Sequence, residues 1–225
     1  MHFEQFIDWS PRRETKELID NALIAYQGRA AYSPTLRSIY YDLIGDLLLE
    51  NTAQGYARLK RTLTKARDAG MFPWDALIDE NRTYNDGWRH NDTTEDLISG
   101  LDLWLDIWEG QENYVEVWVE KAAQAGTVQS ACHPFRAHWM ACKGNLSATF
   151  AYNAGKRFAQ AQSQGLTPHL IHLGDHDPSG LDMTRDNADR IIKYGNMYWD
   201  DLNVHRIALN MDPVSYTHLT LPTKA

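Results

Sequence analysis

Apolar positions recur at helical spacing through the first half of the chain and at strand spacing through much of the second. Leu18, Ile19, Ala22, Leu23 and Ala25 predict a helix over Pro11–Tyr26, ended by Gly28. Leu36, Ile39, Tyr40, Leu43, Ile44 and Leu47 predict a second over Thr35–Leu49, opened by Ser33-Pro34-Thr35. After the polar break Glu50-Asn51-Thr52, Tyr56, Leu59, Leu63 and Ala66 give the third, from Ala53 to Ala69, closed by Gly70. Met71–Asn81 is weakly strand-like and is read as a wing hairpin. Leu97, Ile98, Leu101, Trp104, Leu105 and Trp108 predict a bridging helix over Thr94–Trp108, after a polar connection at Tyr84–Thr94.

From residue 112 strands and helices alternate. Val115, Val117 and Val119 alternate with Glu116 and Trp118 in a strand over Tyr114–Glu120. A helix over Ala122–Ser130 follows, then a strand over His138–Cys142. Leu146–Gln164 is helical with Asn145 as its cap. Pro168–Gly174 is a strand, Ser179–Tyr194 a helix and Asn203–Asn210 a strand. Such alternation implies a parallel sheet with right-handed crossovers, whose sites lie outside the carboxyl ends of the strands. The expected fold class is therefore α/β: a mainly helical, winged-helix-like amino-terminal domain (1–90), a bridge (91–111) and a Rossmann-like parallel-sheet domain (112–213).

That edge carries the candidate chemistry. Glu120 ends one strand. The run Leu173-Gly174-Asp175-His176-Asp177-Pro178-Ser179-Gly180 ends another. Asp175 and Asp177 fall on one side of an extended segment, with His176 on the other. Three carboxylates on one sheet edge suit a divalent cation held through oxygen. The competing reading is local: Asp177 or Ser179 caps the next helix, and Pro178-Ser179-Gly180 makes the turn. Cys132, His133, His138 and Cys142 have no paired zinc-ligand spacing, and neither a dinucleotide fingerprint nor a phosphate-binding loop is present.

The net charge of -8 argues against a surface coated in basic residues. Against that background, Arg58, Lys60, Arg61, Lys65 and Arg67 cluster on the third helix, with no acid between positions 58 and 67. A helix, a short turn and a basic amphipathic helix suggest a helix-turn-helix unit that neutralises DNA phosphates; the alternative is a merely solvated basic face. No apolar run approaches the ~20 residues that span a bilayer. The two cysteines form no disulfide framework, so the expected compartment is a reducing cytoplasm.

Together these residues resemble a Toprim domain of the group containing the topoisomerase VI A subunit and the meiotic double-strand-break protein, which also includes small bacterial and phage relatives. The resemblance rests on Tyr114–Glu120-Lys121, on Cys142-Lys143-Gly144, on the Asp-x-Asp-Pro-x-Gly run at Asp175–Gly180, and on Arg37-Ser38-Ile39-Tyr40-Tyr41, similar to the group's Arg-x-x-Tyr-Tyr. Ala122-Ala123 depart from the polar residues common in relatives. The resemblance implies Mg²⁺ held by Glu120, Asp175 and Asp177, Tyr41 as nucleophile and Arg37 on the scissile phosphate. It further implies DNA as partner, a homodimer, a separate ATPase for strand passage, and a phage or mobile-element setting. A nuclease using water, with Tyr41 structural, and a non-catalytic DNA-binding module are the alternatives. Val214–Thr223 back-translates to a transposase-end adaptor sequence, so residues 214–225 are read as an adaptor-derived tail, and the sheet domain is expected to be truncated.

Overall fold

The computed structural model describes residues 2–29, 34–77, 84–85, 108–144, 146–175 and 177–207. The connection and bridging helix expected at 86–107, Asn145 as a cap, His176, and the tail from 208 onward lie outside the described residues. The chain divides into two compact units, Met1–Asn81 with Ser147–Ala154, and Arg82–Leu146 with Gly155–Ala225.

The first unit is built on three helices, α1 (Arg13–Arg29), α2 (Leu36–Gly45) and α3 (Ala53–Asp68). Helix α1 runs through Gly28 rather than stopping there. Helix α2 starts in a capping box: Thr35 Oγ1 accepts the Ser38 N–H at 3.2 Å, and Ser38 Oγ accepts the Thr35 N–H at 3.0 Å. It ends at Gly45, four residues short of the periodic pattern, because the chain turns at Leu47 with φ 59°. Ile19, Ile39, Leu43, Leu59, Leu63 and Phe72 form the core of the unit. Burying each such side chain contributes about 1.5–3 kcal/mol. The segment expected to form a wing is different in its described part. Trp74–Ala76 makes a single 3₁₀ turn, and Phe72, Trp74, Ala76 and Leu77 are buried, because Pro73 and the aromatic pair drive this stretch into the core. Trp74 stacks on Tyr152 with ring centroids 4.1 Å apart.

The second unit is α/β. Its sheet runs β1 (Tyr84–Asn85), β3 (His138–Ala141), β2 (Asn113–Val119), β4 (Thr167–Leu173), β5 (Asn203–Ile207); β1 is antiparallel to β3, and the other pairings are parallel. Its helices are α4 (Ala125–Cys132), α5 (Ala148–Ser163), whose first residues belong to the other unit, and α6 (Pro178–Gly195). Strand alternation sorts side chains onto two faces. Tyr114, Glu116, Trp118, Met140, Leu170 and His172 are buried on one, where Phe158 of α5 meets Tyr114 and Trp118 edge-on. Val117, Val119, Trp139, Ala141 and Leu173 face α4 through Val128 and Cys132. A cleft of about 530 Å³ opens on that second face, lined by Val115, Val117, Ile171, Leu173, Ile207 and Phe135. Among the described residues no helix is long and apolar enough to cross a membrane.

Candidate functional site

Strand order decides where a site sits. β3 lies on one side of β2 and β4 on the other, and the connections leaving β2 (to β3) and β4 (to β5) run in opposite directions. The crevice at the carboxyl ends of β2 and β4 is a topological switch point, the habitual ligand position in parallel sheets. Glu120 follows β2 directly. Its N–H donates to the Leu173 carbonyl at 2.9 Å, and its own carbonyl accepts the Lys143 N–H at 3.1 Å. Both flanks of Glu120 are thereby tied to the neighbouring strands.

Asp175 stands two residues past β4. Its N–H donates to Glu120 Oε2 at 3.1 Å, so the two acidic residues are in direct contact across the crevice. Lys121 Nζ pairs with Asp175 Oδ2. From β5, Arg206 Nη2 donates to the carbonyls of Asp175 at 2.5 Å and Gly174 at 3.3 Å, gripping the loop from the far side. The Asp175 hydrogen bond and charge, helped by the charges of Glu120 and Asp177, hold the Lys121 ammonium above the ordinary lysine range. Lys121 therefore senses all three carboxylates.

Asp177 takes the local role. It is the N-cap of α6: Oδ1 accepts the Gly180 N–H at 2.7 Å, and Pro178 occupies the first helical position. Gly180 is required by close approach, since a Cβ there would stand 2.2 Å from the Asp175 carbonyl oxygen. The Asp-x-Asp-Pro-x-Gly run is thus explained residue by residue: an acid on the crevice, a cap, a helix start, and a glycine that lets the helix abut the acid's backbone.

Whether these residues suit Mg²⁺ turns on donor chemistry and number. Among the described residues no group of three or more His, Cys, Asp or Glu side chains is arranged to hold a metal. Mg²⁺ asks for less than that. It is commonly bound by one or two carboxylates, with waters and substrate phosphates completing the octahedron. Glu120 and Asp175 meet that demand with hard oxygen donors, and the Lys121 ammonium marks where positive charge settles. The zinc arrangement finds no support. Cys132 and Cys142 are buried and not joined in a disulfide, and His138 is engaged by the Tyr84 hydroxyl through Nδ1.

In the helical unit the two tyrosines of α2 part company. Tyr40 is buried; its hydroxyl lies 2.8 Å from the Glu50 and Thr52 carbonyl oxygens and accepts the Thr52 N–H at 3.0 Å. Tyr41 is 56% exposed. Arg37, also exposed, lies one turn earlier with its guanidinium 5.9 Å from the Tyr56 ring centroid. On α3, Arg58, Lys60, Arg61 and Lys65 are exposed, Lys65 lying over the Trp9 ring at 4.8 Å. Arg67 does not share that face. It is 5% exposed, donates to Thr149 Oγ1 at 2.7 Å and covers the Trp74 ring at 5.1 Å. It falls four residues after Leu63 and eight after Leu59, on the packed side of the helix.

Two features escaped the sequence reading. One is Arg206, whose strand position gives no sign of a carbonyl clamp. The other is a buried polar cluster around Glu116. Arg157 donates to both Glu116 oxygens, at 2.8 and 3.0 Å, Tyr114 donates at 2.7 Å and the Trp118 indole at 2.8 Å. Arg157 also lies 3.7 Å over the Tyr84 ring. Burial opposes ionisation of Glu116, but the Arg157 charge and these donors outweigh it and hold the carboxyl below its usual range. Burial, then the Glu116 charge, pushes the Tyr114 phenol far up. In comparisons with family models, curated proteins and solved structures, nothing matches the chain.

Proposed function

We propose that the chain is a DNA-cleaving protein of Toprim type, similar to the topoisomerase VI A subunit, acting on duplex DNA with Mg²⁺. The observation that carries this reading is the hydrogen bond from Asp175 N–H to Glu120 Oε2 at the switch point of the parallel sheet. Glu120 and Asp175 hold the cation, and Asp177 supports the edge from its cap position. Mg²⁺ supplies charge stabilisation to the phosphate oxygens in the transition state. Arg206 keeps the acidic loop in place from β5.

The exposed Tyr41 is the nucleophile. Its phenolic oxygen forms a bond to phosphorus and releases its proton to solvent, the bond from phosphorus to one deoxyribose oxygen breaks, and that oxygen takes up a proton from solvent. Arg37 pairs with the reacting phosphate. Arg58, Lys60, Arg61 and Lys65 hold flanking phosphates. The winged-helix likeness of the first unit is part of this proposal, as are a homodimer, in which one subunit's tyrosine works with the other's acidic edge, and a separate ATPase for strand passage.

The test is incubation with supercoiled plasmid and Mg²⁺, followed by denaturation and a search for protein-linked DNA. Wild type is expected to give linked, nicked or linear product, lost in both Tyr41→Phe and Asp175→Ala. Cleavage lost only in Asp175→Ala assigns attack to water instead. Salt-dependent binding without turnover under Mg²⁺ or Mn²⁺ reduces the chain to a DNA-binding module and overturns the enzymatic reading.

A further inference from the structure

The turn between α2 and α3 is tightly tied, yet it holds an apolar side chain out into water. The Leu47 N–H donates to Ile44 O at 3.0 Å, and the Leu48 and Leu49 N–H groups donate to Leu43 O at 2.9 and 3.2 Å. The buried Tyr40 hydroxyl fastens Glu50 and Thr52 from beneath. Thr52 then caps α3, accepting the Gly55 N–H at 3.0 Å. At the apex Leu47 adopts φ 59° and is 92% exposed, with Leu48 behind it at 46%.

Glycine or asparagine is the ordinary residue at such a position after a helix end. Leucine there carries both the steric strain of the left-handed region and the cost of exposed hydrocarbon. The other described non-glycine residues with positive φ are Arg136, Lys143 and Asn196, all polar. Strain of this kind, held by surrounding hydrogen bonds, clusters where a surface has work to do.

The neighbourhood says what the occupant is. A cleft of about 670 Å³ beside the turn is lined by Leu48, Thr52, Gln54, Gly55, Arg58 and Arg61, together with Glu50. No acidic residue occurs in α3 before Asp68, and its exposed face carries Arg58, Lys60, Arg61 and Lys65. An apolar tip beside a cationic helix complements a polyanion with stacked apolar faces inside it. The exposed Asp46 and Glu50 flank the tip and repel phosphates, so the tip meets the bases rather than the backbone.

We propose that Leu47, backed by Leu48, is a wedge that enters between stacked bases of duplex DNA whose phosphates rest on Arg58 and Arg61. The proposal rests on the DNA-binding reading above and adds deformation of the duplex to it.

The test uses the full chain and a duplex carrying 2-aminopurine, whose fluorescence rises when it is unstacked. Wild type is expected to bind with a steep salt dependence and to raise the fluorescence. Leu47→Gly is expected to raise the thermal midpoint by relieving the backbone. It should abolish the fluorescence rise and weaken binding roughly tenfold, the loss of one buried leucine contact, with the salt slope unchanged. Arg58→Gln/Arg61→Gln should flatten the salt slope by about 2 and keep the unstacking signal. Salt-dependent binding with no unstacking, or with unstacking unchanged in Leu47→Gly, overturns the wedge and leaves the DNA reading standing. Absence of any DNA binding by wild type at low salt removes the DNA reading itself. A dimer that dissociates in Leu47→Gly, without a change in DNA unstacking, gives the tip to a second copy of the chain and overturns the wedge.

Discussion

Glu116 and Glu120 are the same residue type, four positions apart on one strand and its exit, and they have opposite fates. Glu116 is fully buried, and its two oxygens take four donors from Arg157, Tyr114 and Trp118. Glu120 is partly exposed and takes the Asp175 N–H at one oxygen. A carboxylate with every lone pair matched is finished; it fixes a core. A carboxylate at a switch point with one donor retains capacity for a ligand. Strand parity puts both on the same face, so side-chain direction does not separate them. Depth in the sheet does: Glu116 pairs in register with Leu170 and His138, whereas Glu120 lies beyond the last rung.

The comparison breaks most visibly at Glu116. Glu116→Ala leaves the largely buried Arg157 guanidinium without its carboxylate, and removing one partner of a buried ion pair costs about 3–5 kcal/mol. The expected outcome is a large fall in the denaturant midpoint, or failure to fold. Glu120→Ala is expected to leave the midpoint nearly unchanged while removing Mg²⁺-dependent stabilisation and cleavage. Equal losses of stability in the two variants would place Glu120 in the framework and deny it the ligand role.

The next effect is in pH. His172 is in register with Trp118 on the buried face, and its Nδ1 meets the Thr184 hydroxyl at 2.7 Å. The Thr184 hydroxyl donates to Gly180 O, so Nδ1 carries the proton in a neutral ring. Burial, and then the Arg206 charge, lowers its pKa from 6.5 to about 4. Between those values the unfolded chain binds a proton that the folded chain does not, so stability falls as pH drops from 6.5 toward 4. The shift corresponds to roughly 3 kcal/mol at its full extent. Below pH 4.5 the lowered carboxyl of Glu116 adds loss in the same direction. Equilibrium unfolding against pH checks this: His172→Gln should flatten the curve between pH 6.5 and 4, and an unchanged curve would sink the assignment.

How far the sequence foretold this molecule depends on the range of the signal. The alternating valines of β2 and the helical periodicity of α3 are local patterns, and the elements formed within a residue or two of expectation. The acidic edge followed from them, because a parallel sheet dictates where strand ends gather. Glu116 alternates with Val115 and Val117 in the strand pattern, which does not say that a glutamate there is buried; its match, Arg157, comes 41 residues later on a helix, and nothing short-range announces the pair. Arg67 is legible in the sequence, since its spacing from Leu59 and Leu63 puts it on the core stripe where it is buried. The early end of α2 was hidden because the leucines of the turn continue a helical rhythm that the backbone abandons at Leu47.

The smallest expected effect sharpens the comparison most, because it concerns the two cations rather than the two glutamates. Arg157 is 23% exposed in its side chain and bidentate on Glu116, a fixture of the fold; Lys121 is 53% exposed and pairs with Asp175 through a flexible stem. An exposed pair of this kind contributes little to stability. Lys121→Met is therefore expected to leave the unfolding midpoint in metal-free buffer unmoved. In a Mg²⁺ titration followed by thermal shift, it should lower the concentration for half-saturation, because the ammonium and the cation compete for Asp175. Raised half-saturation would mean instead that Lys121 organises the carboxylates for the metal, and the crevice would then be as finished in its way as the cluster at Glu116.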